Sequence, residues 1–144
     1  MKILDINTPE RLLGNFGEKA ACRYLRRHGY KIIKKNFVAD NNEIDIIAQS
    51  KDTLAFIEVK TRNADAHFSD EPRPASAVDR KKQQKIIKAA RIFLAFNPSD
   101  KRKQFDIIEV ITNQKGRKYS LAEIKHLKNT FNLNTAFSIP KGKG

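Results

Sequence analysis

The sequence contains one cysteine, no tryptophan and no long hydrophobic run. The single Cys22 excludes an internal disulfide and any metal cluster held by several thiolates. The three histidines show no spacing typical of zinc ligands. The apolar runs are much shorter than the roughly 20 residues that cross a bilayer, and Met1–Asp5 is not followed by an apolar signal segment. We therefore expect a cytoplasmic protein with no membrane partner.

Acidic residues are few relative to basic residues. The 144 residues include 29 Lys and Arg but only 16 Asp and Glu, a formal net charge of +13. Each Lys or Arg that neutralises a phosphate releases a condensed counterion, so this excess favours a polyanionic partner such as nucleic acid. The alternative is a basic surface without such a partner. The cations on the two predicted helices are Arg23, Arg26, Arg27, Arg80, Lys81, Lys82, Lys85 and Lys88.

The length fits one domain, and apolar periodicity and turn residues predict the order α-β-β-β-α-β-β. This order is typical of an α/β fold with one mixed central β-sheet flanked by two main helices. We expect residues 1–127 to form the domain and residues 128–144 to be a peripheral or flexible segment. Ser76 should cap the second helix, with Asp79 at the capping-box position. The other predicted elements are a helix over Pro9–His28 and strands over Tyr30–Ala39, Glu43–Gln49, Thr53–Arg62, Phe105–Thr112 and Lys118–Ile124.

Two acids face each other in the hairpin predicted around residues 51–52. With a tight, even turn, Asp45 lies directly opposite Glu58, and Glu43 lies opposite Lys60. Like charges that are directly opposed across two strands destabilise a sheet. Strict alternation places the neighbouring apolar side chains on the other face, in the core. These apolar residues are Ile44, Ile46, Ile57 and Val59.

A hard divalent cation would give the opposed acids a function. Mg²⁺ prefers oxygen ligands and takes one or two protein carboxylates together with waters and substrate phosphate. Lys60, two residues beyond Glu58, could orient an attacking water or stabilise charge on the phosphate. Alternatively, Lys60 pairs only with Glu43, and either acid pairs with an arginine. The register thus predicts a Mg²⁺ or Mn²⁺ site at Asp45 and Glu58.

Five short motifs occur in a characteristic order. They are Gly14-x-x-Gly17-Glu18-x-x-Ala21, Glu43-Ile-Asp45-Ile-Ile, Phe56-Ile-Glu58-Val-Lys60-Thr-Arg62, Lys82-Gln83 and Phe105-Asp106-Ile-Ile. In order and spacing the chain resembles the YraN family of small bacterial proteins, over roughly Leu13–Ile124. That family is grouped with the PD-(D/E)xK nucleases and is similar in fold to archaeal Holliday junction resolvases. The resemblance implies a single restriction-endonuclease-like domain.

The resemblance also implies an enzyme, a Mg²⁺- or Mn²⁺-dependent endonuclease that hydrolyses phosphodiester bonds. Asp45 and Glu58 would be metal ligands and Lys60 the catalytic lysine. Glu18 would be a helix-borne acid that approaches the metal as a third ligand. Gln83 would be a polar residue of the second helix beside the site, and the resemblance places both residues in the catalytic set. The substrate implied is nucleic acid, with DNA favoured and branched DNA among the candidates. Junction-cleaving relatives act as dimers, so a homodimer is a further expectation.

Two positions depart from the family pattern, and three supporting residues have simpler alternatives. Ile44 stands in place of the superfamily proline, and Asn42 in place of a glycine, although Asn tolerates a positive φ. Glu18 could be a solvated helix acid, Gln83 could satisfy a buried backbone group, and Arg62 could form a surface ion pair. None of these alternatives removes Asp45, Glu58 or Lys60 from the site.

Basic side chains near the hairpin and on the second helix are expected to contact the phosphate backbone. Two other functions stay open at this stage. One is a non-catalytic nucleic-acid-binding protein on a nuclease scaffold, and the other is an interaction protein whose basic faces meet an acidic partner. The residues predicted to bind nucleic acid are Arg62, Arg80, Lys81, Lys82 and Lys85.

Overall fold

The computed structural model describes residues 8–64 and 78–133, and its elements follow the predicted order. One five-stranded sheet has its strands in chain order, β1-β2-β3-β4-β5. All neighbouring strands are antiparallel except β3 and β4, which are parallel with α2 between them in sequence. Among the described residues, neither helix has the length and apolar character needed to cross a membrane. The elements are α1 (Pro9–Arg27), β1 (Lys31–Ala39), β2 (Asn42–Gln49), β3 (Thr53–Asn63), α2 (Arg80–Phe96), β4 (Arg102–Lys115) and β5 (Lys118–Phe131).

Local sequence signals determine the helix ends. The Thr8 hydroxyl accepts a hydrogen bond from the Arg11 N–H, and Gly29 follows α1 with a φ of 87°, as expected for a cap and a stop. The α2 cap differs from the prediction. Asp79 is the N-cap, because its carboxylate accepts the Lys82 N–H at 2.8 Å. Ser76, the predicted cap, lies outside the described residues.

The two helices cover opposite faces of the sheet, so the central strands are buried on both sides. The α2 face has an aromatic core, in which the Phe56 ring stacks on Phe105 and Phe105 stacks on Phe131. The α1 face has a core of smaller side chains, including Ala21 and Leu25 of the helix. This arrangement explains the continuous apolar runs in β2 and β3.

The predicted alternation fails at Ile44. Ile46 and Ile57 pack on the α1 face as expected, but Ile44 belongs to the core on the α2 face. Its partner on β1 is Phe37, which also packs on the α2 face. The preceding residue, Asn36, has a φ of 53°, so β1 changes the face to which its side chains point. The positive φ expected near Asn42 occurs two residues and one residue earlier, at Asp40 and Asn41.

The last two strands extend beyond their predicted ends. Phe131, the last residue of β5, is buried against Phe105, with ring centroids 4.9 Å apart. Residues 128–131 therefore belong to the sheet, although the domain was expected to end at 127. Residues 132 and 133 follow the strand, and residues 134–144 of the predicted peripheral segment lie outside the described residues.

A buried polar chain links α1 to the two C-terminal strands. Asp106 is 1% exposed, and its carboxylate lies 2.8 Å from His126 Nε2. The other ring nitrogen lies 3.0 Å from the Tyr24 hydroxyl. A neutral imidazole satisfies both contacts if Nε2–H donates to Asp106 and Nδ1 accepts from Tyr24. Asp106 also accepts the Asn129 N–H at 2.9 Å.

A close contact between α1 and β3 positions the middle of the helix. A Cβ on Gly17 would lie 2.8 Å from Thr61 Cβ and Cγ2, and closer still to Thr61 Oγ1. Only glycine therefore fits at this distance. Because Glu18 is the next residue, the same contact determines where its carboxylate can reach.

We predict that Gly17→Ala lowers the free energy of unfolding by about 1–3 kcal/mol, as overpacking does in a tight contact. Gly14→Ala is the matched control, because it makes the same change in the same helix with no atom within 4 Å of the added Cβ. This control should raise the free energy of unfolding by about 0.5–1 kcal/mol. Urea denaturation measures both values. Equal effects of the two substitutions would contradict the role of the close contact.

Candidate functional site

The site forms where the β2–β3 hairpin opens. The register near the turn is as predicted, with pairs running from Gln49–Leu54 to Ile46–Ile57. Beyond Ile46 and Ile57 the strand pairing ends. The two acids predicted to face each other follow directly after this last pair.

A side chain replaces the backbone where the pairing ends. The Val59 N–H donates to Asp45 Oδ2 at 2.8 Å, whereas continued pairing would give this donor a backbone carbonyl of β2. The predicted cross-strand pairs Asp45–Glu58 and Glu43–Lys60 are therefore not part of the described ladder. The reason is that the carboxylate takes the place of the backbone acceptor, and the strands separate around it.

A cavity of about 400 Å³ lies between α1 and the open end of the hairpin. The structure thus brings Glu18 of α1 to the same cavity as Asp45 and Glu58, as the family resemblance implied. Gly14 also lines it, without a side chain that could fill the space. The acidic residues in the cavity wall are Glu10, Glu18, Asp45 and Glu58.

The carboxylates in this cavity repel one another when they are ionised. Burial, and next the charge of Glu58, raise the pKa of Asp45 to about 7, although the Val59 N–H acts in the opposite direction. Burial also raises the pKa of Glu18, and the charge of Glu43 adds to this effect. The site therefore holds more negative charge than its protein surroundings stabilise.

Two ammonium groups partly compensate the charge of Glu58, which is 8% exposed. Lys82 Nζ of α2 lies 3.5 Å from Glu58 Oε2, and Lys60 Nζ lies 3.9 Å from the same oxygen. The ion pair of Lys60 is thus with Glu58 and not with Glu43, the partner considered in the alternative. Lys82, predicted as a surface contact to nucleic acid, reaches Glu58 of the site.

The donor set matches a hard cation that keeps part of its shell for water and substrate. In the described ranges, no three Asp, Glu, His or Cys side chains converge as a ready-made metal cage. Glu18 is therefore near Asp45 without completing a three-carboxylate set. Mg²⁺ needs no such cage, since it is commonly bound by one or two carboxylates together with substrate phosphate. Asp45 and Glu58 are the residues that would hold it.

Comparison with known proteins supports the family predicted from the motifs. Residues 17–110 match the model described as uncharacterised protein family UPF0102. A UPF0102 protein of Caldanaerobacter subterraneus subsp. tengcongensis is 42% identical over 123 residues, which cover 85% of this chain and 96% of the relative. The chain belongs to the UPF0102 family. A second UPF0102 protein, from Chlorobium phaeobacteroides, is 40% identical over 122 residues, which cover 83% of this chain and 93% of the relative. The predicted YraN assignment, which denotes the same family, is confirmed.

Gln83 and Arg62, two further predicted site residues of this UPF0102 protein, form hydrogen bonds with other residues of the chain. The Gln83 amide donates to the Val78 carbonyl at 2.8 Å, and Gln83 is not among the residues that line the cavity. This contact is the backbone role considered as the alternative. Arg62 Nε donates to Glu109 Oε2 at 3.0 Å, which is likewise the alternative ion pair. The remaining predicted contacts to nucleic acid, Arg80, Lys81 and Lys85, lie exposed on α2.

Sequence reasoning missed Asn36. Its side chain hydrogen-bonds the Glu18 carboxylate, which counteracts the raised pKa of that group. The φ of 53° at Asn36 suits asparagine better than most residues. The available signal was an asparagine in the middle of a predicted strand, where this residue type is depleted.

The pKa of Asp45 generates a prediction for stability. The folded-state pKa of about 7 lies above the ordinary value of 3.8, so ionisation of Asp45 opposes folding. The penalty is absent below about pH 4, grows as the pH rises and is complete above pH 7. In EDTA, Asp45→Asn should match the parent protein near pH 4 and exceed its stability at pH 8, by on the order of 4 kcal/mol at most. Denaturation curves across this pH range measure the difference.

The matched control is Asp52→Asn, which makes the same change at an exposed turn residue. Its stability should follow that of the parent protein at each pH. If Asp45→Asn instead lost stability at pH 8, Asp45 would be a structural acid whose negative charge supports the fold.

Proposed function

We propose that this protein is a Mg²⁺- or Mn²⁺-dependent endonuclease that hydrolyses phosphodiester bonds of nucleic acid, with DNA as the favoured substrate. The observation that carries the proposal is the raised pKa of Asp45, at about 7, beside Glu58 in an open cavity. Acids with strongly perturbed pKa values concentrate at functional sites. A purely structural role would be served better by an uncharged acceptor for the Val59 N–H.

The acid side chains are arranged to receive a cation. The Val59 N–H holds one oxygen of Asp45 in place, and the other has no hydrogen bond within the described residues. Glu58 extends the set from the neighbouring strand. A bound divalent ion supplies Lewis-acid chemistry, because it neutralises charge on a phosphoryl oxygen and lowers the pKa of water.

The basic side chains of the site have a separate role in the proposed reaction. The Lys60 side chain is 43% exposed and 3.9 Å from Glu58, so it can reach a phosphate bound at the same carboxylates. There its ammonium group would stabilise developing negative charge or orient the attacking water. Lys82, which approaches Glu58 from α2, adds a second positive charge.

A non-catalytic nucleic-acid-binding protein on the same scaffold is the second candidate. One observation favours it: Lys60 and Lys82 already lie within ion-pair distance of Glu58 and partly compensate its charge without a metal. The two candidates differ in whether metal binds and whether Lys60 is needed. A homodimer and a cytoplasmic location are extensions of the main proposal, and they rest on the family resemblance and on composition.

We predict that Mg²⁺ or Mn²⁺ raises the melting temperature in a concentration-dependent way, since a ligand selective for the folded state stabilises it by about 2.7 kcal/mol at 100 times its Kd. Asp45→Asn should abolish both this response and cleavage of a labelled DNA panel that includes duplex, branched and single-stranded forms. Lys60→Met should retain the metal response and lose about 10²–10³-fold in cleavage rate.

Lys118→Met, an exposed change on β5, controls for loss of positive charge and should leave cleavage unchanged. Salt-sensitive binding without cleavage, and with no metal response, would establish the non-catalytic candidate instead. A parent protein that neither binds nucleic acid nor responds to metal would refute both.

A further inference from the structure

A second cavity, of about 350 Å³, lies between α1 and β1. We call it the α1–β1 groove. Its wall contains five cationic side chains and no acidic one. Four of the cations belong to α1, and the fifth stands across from them on β1. The lining residues are Lys19, Cys22, Arg23, Arg26, Arg27 and Lys35.

The cations of the groove lack the acidic partners that other basic residues have. Lys82 pairs with Glu58, Lys88 with Asp40, and Arg62 with Glu109. By contrast, none of the five groove cations forms an ion pair in the described part of the chain. Adjacent like charges that the protein does not neutralise favour an anionic ligand.

The floor of the groove adds no opposing charge. Cys22 is 3% exposed, and burial raises the pKa of its thiol, which keeps the group neutral. An apolar floor also strengthens electrostatic attraction above it, because the local dielectric is lower than in water.

The spacing of the cations fits a polymer of phosphates. Lys19, Arg23, Arg26 and Arg27 follow one another at helical intervals on α1, with Lys35 on the opposite wall. From Lys19 to Arg27 the helix rises about 12 Å. One strand of duplex DNA advances about 3.4 Å along the helix axis per nucleotide, and its phosphates are further apart along their helical path, so the row is long enough to contact more than one phosphate.

The groove begins beside the candidate active site. Lys19 directly follows Glu18, and the charge of Lys35 acts on Glu18 as well. We propose that the α1–β1 groove binds the phosphate backbone of the substrate strand as it leaves the carboxylate site. The inference rests on the proposed function and deepens it, because the substrate must then extend several nucleotides to one side of the cleaved bond.

The test uses the double variant Arg23→Gln/Arg26→Gln in the full chain, with a labelled 30-base-pair duplex as the probe and EDTA present. Both residues are exposed, so we expect the fold to be retained. Each lost phosphate contact lowers the slope of log affinity against log salt by about 0.9. The double variant should therefore bind more weakly, with a slope lower by about 2.

Arg117→Gln/Lys118→Gln is the matched control, because it removes the same charge at the exposed β4–β5 turn. Its salt slope should equal that of the parent protein. Arg23→Lys/Arg26→Lys keeps the charge and should restore most of the slope. Lys35→Gln, on the opposite wall, should lower it by about 1 and tests the groove independently if the double variant does not fold.

The outcomes separate this inference from the proposed function. If the parent protein shows salt-sensitive binding and the groove variants match it, the groove inference is wrong and the nuclease proposal stands. If the parent protein does not bind the duplex, the groove inference fails, whereas the nuclease proposal is decided by the metal response and by cleavage of the DNA panel. Should the groove variants lose binding to phosphatidylglycerol vesicles while duplex binding is unchanged, the ligand is an anionic membrane surface, and the inference is overturned.

Discussion

The hydrogen bond from the Val59 N–H to Asp45 is the interaction on which the rest of the site depends. It replaces a backbone acceptor with a carboxylate. Strands β2 and β3 therefore separate at this point, while their pairing stays continuous between here and the hairpin turn. The bond also holds the acid in a partly buried position where its ionised form is unfavourable. The local geometry of two strands thereby creates both the cavity and its excess of negative charge.

Much of the fold could be predicted because it depends on contacts that are local in sequence. Helix caps, turn residues and apolar periodicity gave the element order, and a tight turn determined the hairpin register. The features that were missed depend on contacts between distant segments. Ile44 changes face because β1 turns at Asn36, and β5 reaches Phe131 because this ring stacks on Phe105. Apolar alternation within a single strand encodes neither effect, and the one local signal was the asparagine at position 36.

Like the fold, the candidate site could be predicted from the sequence only in part. The register placed Asp45 near Glu58, and the family motifs added Glu18, which lines the same cavity. Composition could not show which cations are already neutralised. Arg62 and Lys82 contact acids of the protein, whereas the basic residues of α1 do not in the described part of the chain. Pairing of this kind depends on the positions of the acids as much as on those of the bases.

The parallel pairing of β3 with β4 has a consequence for the order of folding. Its paired residues are 49 positions apart, so this half of the sheet requires a large loop to close, whereas β1, β2 and β3 are joined by short turns. Such non-local pairing slows folding, because the loop must close before its contacts stabilise the sheet. Glu18, Asp45 and Glu58 all precede the crossover and Lys82 lies within it, so the ion pair that partly compensates Glu58 forms only once α2 has packed on the sheet.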